Sequence, residues 1–448
     1  MTVDDSATRP QTQEPQATEP QATEPQATEQ QAREPQAQEP QAAPVEKRSL
    51  LRNGSFQALW SSEALAGVGE NAAGIAYPLL ILASTGSAAY AGAVGSAQLL
   101  ANGLASFWGG ILADRVDRKR LLIVTSVVRA VLLGMFAALL FAGSMNVPLA
   151  FVIAIVSGCC HGVSMPAGMA MIKQLVRPDQ LAQATAQNQI RWFGAITAGP
   201  SIGGVLYGMA RALPFVAGCV SFAASAVLML FVKSVPRPET PGEGKKGLFE
   251  GFRYLTRDPV LRPLMISITL SNLAFNTVGM SLAVIATGKD RGASDSFIGL
   301  TLSVAGTGAL VGALLAGTVI KRVRPSVIFM AGYWIGPLAA ALLMTVPGVI
   351  PLGIVVACVY VRGPLINALF LTYAAKTVPD ELQGRVLGAI VFTSTIISPV
   401  GVLAIGAIFD AWGPVWVFAT VGVIATLAAL PTLTRSIRTL ASLEENPS

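Results

Sequence analysis

The stretch GGILADRVDRKRLLI, residues 109–123, places six charges within seven residues, between runs of uncharged apolar sequence. Only 12% of the 448 residues are charged, whereas 52% are hydrophobic, 44 are glycine and the mean hydropathy is +0.58. A chain this apolar and this rich in small residues is typical of an integral membrane protein. The charged stretch is therefore predicted to be a short polar loop between two membrane-spanning helices.

Apolar runs recur on both sides of this loop, almost to the end of the chain. A helix needs about 20 apolar residues to cross a hydrocarbon core of roughly 30 Å. Twelve segments meet this requirement, and the sequence predicts spanning helices over residues 56–82, 88–112, 121–141, 147–170, 184–207, 213–232, 264–286, 297–320, 327–346, 350–373, 385–409 and 415–433.

Lysine and arginine are divided unequally between the two sets of loops. If the N-terminus is cytoplasmic, the cytoplasmic segments beside helices hold 23 of them, and the opposite loops hold only Arg211, Lys289 and Arg291. This asymmetry predicts a multi-pass cell-membrane protein with both termini in the cytoplasm. The net charge of +6 is explained by this topology. We therefore expect the lipid bilayer as a partner and no nucleic acid.

The chain outside the helices falls into three polar segments. Residues 1–47 repeat a Gln/Pro/Glu/Ala unit with few large apolar side chains, so they are predicted to be a disordered tail, either a solvated extension or a partner-binding segment. Residues 234–262 form a central cytoplasmic loop, and residues 436–448 form a cytoplasmic C-terminal tail. The loop divides the helices into bundles of residues 48–233 and 263–435.

Internal repetition supports two related halves. The pattern Pro-Asp-x-Leu begins at Pro178 and again at Pro379, 201 residues later. A glycine that is followed five residues later by Arg-Val occurs at Gly110 and again at Gly317. Parallel six-helix repeats place a substrate site near the bilayer midplane, between the halves. The predicted fold is therefore all-α, with 12 transmembrane helices in two pseudo-symmetric six-helix bundles.

Two motifs carry a family resemblance. Residues 110–119, GILADRVDRK, resemble the loop signature G-x-L-A-D-R-x-G-R-[RK] of the major facilitator superfamily. Asp117 replaces the second glycine, a variant similar to the branch that contains macrolide efflux proteins and enterobactin exporters. Residues 199–206, GPSIGGVL, are similar to the fifth-helix motif of drug/proton antiporters. The resemblance extends over residues 50–435 and implies the major facilitator fold, with a proton gradient as driving force, no cofactor and a monomeric chain.

The resemblance also implies a conformational latch at the charged loop, formed by Gly110, Asp114, Arg115, Arg118 and Lys119. Family geometry places Asp114 near the N-terminus of the eleventh helix, where a carboxylate opposes the positive helix end by roughly 0.3–1 kcal/mol. The cations can pair with carboxylates or with anionic headgroups. These residues either latch the two halves in one conformation or only fix the orientation of the chain.

The fifth helix carries Gly199, Pro200, Gly203 and Gly204. Glycines one turn apart allow close backbone approach between helices, and proline removes a backbone hydrogen bond. The resemblance implies an antiporter motif that limits leakage, whereas the residues alone equally allow ordinary small-residue packing.

Five charges lie inside predicted helices, where burial is costly and therefore marks function: Glu63, Glu70, Arg129, Arg191 and Arg362. Glu63 and Glu70 are seven residues apart and share a helix face. A carboxylate in a low-dielectric cavity can bind and release a proton. Glu70 is expected to carry it because it should lie deeper than Glu63; the alternative is a static ion pair. The arginines either hold an anionic substrate group or neutralise the carboxylates.

Weaker candidates are neutral or isolated. Asn272 and Asn276 form an i, i+4 stripe in the seventh helix that either lines the cavity or bonds between helices. His161, the only histidine, follows Cys159 and Cys160 without normal metal spacing, so no metal site is expected. His161 is either a packed residue or a proton relay.

Absent motifs narrow the function. The chain has no phosphate-binding G-x-x-x-x-G-K-[ST] loop and no H-E-x-x-H zinc motif, and one histidine offers little for hydrolytic catalysis, so it is not expected to be an enzyme. The leading prediction is proton-driven export of a hydrophobic or amphipathic small molecule, with a role in antibiotic resistance. The alternatives are a dedicated siderophore or biosynthetic-product exporter, and a non-transporting membrane sensor or channel.

Overall fold

The computed structural model describes residues 50–233 and 248–440, and every regular element in these ranges is a helix. The predicted tail over 1–47, residues 234–247 of the central loop and residues 441–448 lie outside the described residues. The first half comprises α1 Gly54–Thr85, α2 Ala88–Arg115, α3 Arg118–Phe141, α4 Val147–Leu175, α5 Leu181–Met209 and α6 Leu213–Leu230.

The second half follows the same order after a short helix, α7, in the predicted central loop. Its helices are α7 Leu248–Arg257, α8 Leu261–Phe275, α9 Thr277–Asp290, α10 Asp295–Arg322, α11 Pro325–Thr345, α12 Ile350–Thr377, α13 Asp380–Trp412, α14 Pro414–Ala429 and α15 Arg435–Arg438. Short 3-10 turns precede α1, precede α5 and follow α14, at Leu50–Arg52, Pro178–Gln180 and Leu430–Leu433.

Nine stretches in the described part are long and apolar enough to cross a membrane. The helices α2, α5 and α13 have 28, 29 and 33 residues but fall outside this set. Polar side chains explain two of these cases, because Gln98 and Asn102 interrupt α2 and Arg191 interrupts α5. Helices occupy all twelve predicted segments, whereas twelve membrane crossings remain a prediction.

The seventh predicted helix is not continuous, which corrects the expectation for residues 264–286. α8 ends at Phe275, Asn276 leaves the helical conformation with φ −56° and ψ 136°, and α9 begins at Thr277. The Asn276 side chain accepts a hydrogen bond from Val278 N at 3.0 Å and so caps α9. Asparagine is a strong N-cap residue, and here it ends one helix and starts the next.

Short polar side chains begin many of the other helices. Asn53, Ser87, Asn146 and Ser294 each accept a hydrogen bond from a backbone N–H in the first turn of the helix that follows. These bonds satisfy N–H groups that have no partner within the helix. Gly86 ends α1 with φ 69°, a left-handed conformation that favours glycine.

The two halves pack their helices in the same pattern. In the first half α2 packs on α4, α1 on α6 and α5, and α3 on α6; in the second half α10 packs on α12, α8 on α14 and α13, and α11 on α14. Across the halves, α5 packs on α10 and α2 packs on α13. The second helix of each half therefore meets the fifth helix of the other half.

Aromatic and aliphatic side chains fill the space between the helices. Phe136, Phe215 and Tyr77 form one cluster, with the two phenylalanine ring centroids 4.9 Å apart. Other large apolar side chains point outward, such as Val131 at 63% and Phe231 at 71% exposure. Outward-facing apolar side chains along long helices are expected where lipid is the solvent.

Candidate functional site: buried ion pairs beside a central cavity

Glu70 on α1 lies between two nitrogen-bearing side chains. Its Oε1 is 2.7 Å from Arg129 Nη2 on α3, and its Oε2 is 3.1 Å from His161 Nδ1 on α4. The Arg129 guanidinium also lies over the Phe222 ring, 4.0 Å from its centroid, and only 6% of Arg129 is exposed. Burial of the Arg129 guanidinium reduces how much water screens this ion pair.

Glu63, two turns earlier on α1, has one cationic partner. Its Oε2 is 2.8 Å from Arg191 Nη2 on α5, and its backbone carbonyl accepts a hydrogen bond from Arg191 Nη1 at 2.9 Å. Asn188 accepts two further hydrogen bonds from the same guanidinium, at 3.0 and 2.8 Å. Arg191 therefore tethers α5 to α1. The two predicted arginines of the first half each neutralise a carboxylate.

Arg362 on α12 is placed differently. Its Nη2 donates to Ser271 Oγ at 2.6 Å and its Nη1 donates to the Gly332 carbonyl at 3.4 Å, while the guanidinium lies 5.2 Å from the Phe275 ring and 5.5 Å from the Tyr333 ring. Among the described residues, no carboxylate forms an ion pair with it. A cation beside Phe275, where α8 ends, is stabilised by the negative end of that helix.

The repeat offset of 201 residues relates these groups. Adding 201 to Glu70 gives Ser271, and adding 201 to His161 gives Arg362. Ser271 and Arg362 are bonded to each other, as Glu70 and His161 are. The second half thus keeps the contact between its first and fourth helices but has a hydroxyl group in place of the carboxylate.

A central cavity of about 360 Å³ lies between the halves. The first half contributes Glu70, His161, Arg191 and Trp192 to its wall, and the second half contributes Asn276, Thr277, Ser281 and Tyr360. A second cavity, of about 320 Å³, lies mostly within the first half; its lining includes Glu63, Glu70, Arg129, His161 and Arg191. Glu70, His161 and Arg191 line both cavities.

The structure places the two predicted asparagines differently. Asn276 lines the central cavity, whereas Asn272 is not among its lining residues. The two cannot form an i, i+4 pair on one helix, because α8 ends at Phe275. The expected helical period does not continue across the break that the Asn276 cap creates.

The fifth-helix motif has two faces. A Cβ added at Gly199 or Gly203 would collide with α1, at Asn71 and Ala72 respectively. A Cβ added at Gly204 would lie 2.8 Å from Gly299 Cα on α10. Pro200 stands inside α5, and its carbonyl oxygen faces Gly299. The small residues therefore permit close approach within the first half and across to the second.

Around the charged loop, the described contacts lie within the first half. Asp117 caps α3 by accepting a hydrogen bond from Lys119 N at 2.8 Å. Lys119 Nζ donates to the carbonyls of Leu230, the last residue of α6, and of Val232, at 2.8 and 2.7 Å. Arg118 Nε donates to the Ala113 carbonyl at 3.1 Å. Gly110 has no atom near its missing side chain, Arg115 is exposed, and the Asp114 side chain lies outside the described residues.

A carboxylate that sequence reasoning missed joins the halves at the opposite end. Asp410, near the end of α13, accepts hydrogen bonds from Ala88 N at 2.8 Å and Ala89 N at 2.9 Å, and from the Ser87 hydroxyl. These groups begin α2, whose positive end attracts a carboxylate. We call this side of the molecule, with residues 86–87, 210–212 and 413, the Asp410 end. The sequence feature that could have identified Asp410 is the position of an acidic residue directly after the predicted helix 385–409.

Comparison with known proteins gives a consistent picture. The sequence model described as Major Facilitator Superfamily matches residues 59–402 and 264–445. The multidrug efflux pump Tap of Mycolicibacterium fortuitum is 24% identical over 78% of this chain and 87% of its own length. The enterobactin exporter EntS of Escherichia coli is 25% identical over 62% of this chain and 67% of its own length.

Solved structures show a similar fold. A mutant form of the nucleoside transporter NupG superposes with a TM-score of 0.71 at 12% identity, over 84% of this chain and 98% of the other. An inward-facing bacterial homologue of the iron transporter ferroportin gives a TM-score of 0.64 at 16% identity, over 86% and 100%. At these identities the likeness concerns the fold alone.

Proposed function

Since the chain belongs to the major facilitator superfamily and is a transporter rather than an enzyme, we propose that it exports a hydrophobic or amphipathic small molecule from the cytoplasm by proton antiport. The similarity to efflux proteins over most of the chain supports export as the direction. We propose twelve membrane crossings, a location in the cell membrane with both termini cytoplasmic, and the proton gradient as driving force.

The observation that carries this proposal is the triad of Glu70, Arg129 and His161 at the wall of the central cavity. A proton entering the cavity reaches the imidazole or the carboxylate directly. Protonation of Glu70 removes the charge that balances Arg129, which is then left buried and unpaired. The helices α1, α3 and α4 hold this triad, so its protonation state is coupled to how these helices pack.

The contacts at the Asp410 end support alternating access. There Asp410 binds the start of α2, and Ser201 N on α5 donates to Ser303 Oγ on α10 at 2.9 Å. At the other end, no atom of the described residues lies within 4 Å of a side chain added at Gly110 on α2 or at Gly317 on α10. We propose that the structure is closed at the Asp410 end and opens towards the cytoplasm.

The cavity chemistry favours a neutral or weakly basic cargo. Arg191 is occupied by Glu63, and Arg129 is occupied by Glu70, so these arginines do not offer a free charge to an acidic substrate. The opposite wall presents amide and hydroxyl groups among apolar side chains. Such a surface suits an amphipathic body with a few hydrogen-bonding groups.

A dedicated siderophore or biosynthetic-product exporter is the second candidate. Similarity to an enterobactin exporter favours it, and Arg362 is a partly buried cation that has no carboxylate partner among the described residues. A catecholate cargo would need a route to Arg362.

The test is accumulation of a panel of antibiotics, dyes and siderophores in cells that lack their own exporters, with and without a protonophore. We expect lower accumulation of at least one neutral or basic amphipathic compound, abolished by the protonophore and by Glu70→Gln. Protonophore-insensitive flux would indicate a channel, and ligand binding without flux would indicate a sensor; either result would contradict the proposal.

A further inference from the structure

The short helix α7 has the character of a membrane-surface helix. Leu255 is fully buried, whereas Phe252 is 45% exposed and both Arg253 and Arg257 are exposed. α7 packs on α13 and directly precedes α8, at the end of the molecule opposite the Asp410 end. Exposed arginines and an exposed aromatic ring, on a short helix that directly precedes a predicted spanning helix, suit the level of the lipid headgroups.

A groove of about 400 Å³ lies beside α7. It is lined by Arg253, Tyr254, Arg257, Asp258 and Leu382. Arg253 and Arg257 are four residues apart, so they point to the same side of the helix. Within the described ranges, neither guanidinium has an ion-pair or hydrogen-bond partner.

The other polar groups of this groove are already engaged. The Tyr254 hydroxyl donates to the Thr377 carbonyl at 2.9 Å, which fixes α7 against the end of α12. Burial raises the pKa of Tyr254, and the nearby Asp258 carboxylate adds to the rise, so the hydroxyl stays protonated. Asp258 Oδ1 accepts hydrogen bonds from Val260 N at 2.8 Å and Leu261 N at 2.7 Å. Among the described residues, the two guanidinium groups are therefore the polar groups of this groove that have no internal partner.

We propose that this groove binds the phosphate group of an anionic phospholipid from the adjacent leaflet. Paired guanidinium groups suit phosphate oxygens, which accept bidentate hydrogen bonds. The exposed Phe252 ring on the same helix is available to the acyl chains. A soluble phosphate would gain nothing from this apolar neighbour, so the position of the groove selects the lipid.

The experiment uses the full chain in nanodiscs of phosphatidylcholine that contain a minority of phosphatidylglycerol. Native mass spectrometry then counts the phosphatidylglycerol that stays bound. The variant Arg253→Gln/Arg257→Gln is expected to retain about tenfold less, because it removes both guanidinium groups that bind the phosphate in the groove. The control variant Lys321→Gln/Arg322→Gln removes equal charge from α10 at the same end and is expected to retain lipid normally.

Three results would overturn the proposal. These are equal loss of lipid in both double variants, displacement of phosphatidylglycerol by inorganic phosphate at matched ionic strength, and equal retention of phosphatidylcholine and phosphatidylglycerol. The variant Arg253→Lys/Arg257→Lys keeps the charge and the fold but loses the bidentate geometry, so intermediate retention is expected. Wild-type retention by the lysine variant would contradict recognition by paired guanidinium groups.

Discussion

At the scale of single residues, the buried charges differ in what surrounds each of them. Glu70 has two nitrogen partners, Glu63 has one guanidinium, and Arg362 has hydroxyl, carbonyl and aromatic groups. Opposite charges that are buried together depend on one another, because removing one leaves the other unpaired in a medium of low dielectric. Substituting one or both charges of a pair can therefore distinguish a proton carrier from a static ion pair.

Substituting Glu70→Gln should lower proton-driven transport at least tenfold and should also lower thermal stability. Breaking a buried pair costs about 3–5 kcal/mol, since the partner keeps its charge. The double variant Glu70→Gln/Arg129→Gln removes both charges and should recover stability but not transport. Recovery of transport in the double variant, measured in proteoliposomes with an imposed pH gradient, would show that the pair is only structural.

His161→Gln should lower proton-driven transport, because it removes the ring nitrogen that lies 3.1 Å from Glu70 Oε2 at the cavity wall. The initial rate in proteoliposomes, with and without an imposed pH gradient and at constant membrane potential, measures the effect. A fall in rate that is equal with and without the gradient would make His161 a packing residue.

The charged residues of the site were predictable from sequence, but their partners were not. Charges stand out in apolar helices, so Glu70 and Arg129 could be identified individually. Their pairing depends on how α1, α3 and α4 are rotated about their axes. Helices composed largely of small apolar residues carry no sequence pattern that fixes this rotation. Sequence alone does not decide between packing and proton relay for His161 for the same reason, since only the structure places it against Glu70.

At the scale of elements, helix ends and small residues control how the halves meet. Asp410 at the end of α13 caps the start of α2, and Gly204 on α5 faces Gly299 on α10. Both contacts cross between the halves at the Asp410 end. They must separate when that end opens, so they contribute to the stability of the closed conformation.

Asp410→Asn should shift the population towards molecules open at the Asp410 end by about two- to fivefold, because a carboxylate at a helix N-terminus contributes about 0.3–1 kcal/mol. Spin labels at Arg211 and Gly292, in loops of different halves at this end, report the separation in a cysteine-free background. Asp290→Asn is the matched control, since Asp290 is an exposed acid at the same end. Equal shifts in both variants would contradict the cap.

Gly204→Val should weaken the packing of α5 on α10 and lower the apparent melting temperature, because overpacking costs about 1–3 kcal/mol. Gly194→Val, in the same helix, has no atom within 4 Å of the added Cβ and carries the same penalty for a branched side chain. Thermal unfolding of both variants in one detergent isolates the contact. If Gly194→Val destabilises the protein as much, helix propensity explains the effect.

Element boundaries were predicted well wherever polar residues bracket an apolar run. The break at Asn276 was missed because its neighbours on both sides are apolar enough for one continuous helix. Asparagine occurs both inside and at the ends of helices, so its presence alone does not predict a break. The family membership inferred from residues 110–119 is confirmed by the family match over residues 59–402.

At the scale of the whole molecule, the repeat governs both the packing and the distribution of charge. The pairs of neighbouring helices recur in both halves, yet the ion pairs of Glu63 and Glu70 have no counterpart among the described residues of the second half, where Lys289 and Asp295 pair at helix ends instead. The repeat of 201 residues could be read from sequence. The sequence shows that Ser271 occupies the position equivalent to Glu70. The role of this serine becomes clear only in the structure, where Arg362 donates a hydrogen bond to it.

The orientation predicted from lysine and arginine has a direct test. Alkaline phosphatase, which is active only outside the cytoplasm, should be active when fused after Gly143 or Gly292 and inactive when fused after Arg177 or Arg324. Green fluorescent protein at the same four positions should show the reverse pattern. Alkaline phosphatase activity after Arg177 and Arg324 instead would contradict the predicted orientation. The Asp410 end would then face the cytoplasm.

The neutral wall of the central cavity has a consequence for how such a protein diversifies. Asn276, Ser281 and Tyr360 contact the cavity without taking part in any described ion pair. If the chain is the proton-driven exporter proposed above, Ser281 and Tyr360 can therefore change while the charged side of the cavity stays intact, whereas Asn276 is also constrained because it caps α9. Under that proposal, descendants of one ancestor would differ in the compounds they export yet share the same dependence on the proton gradient.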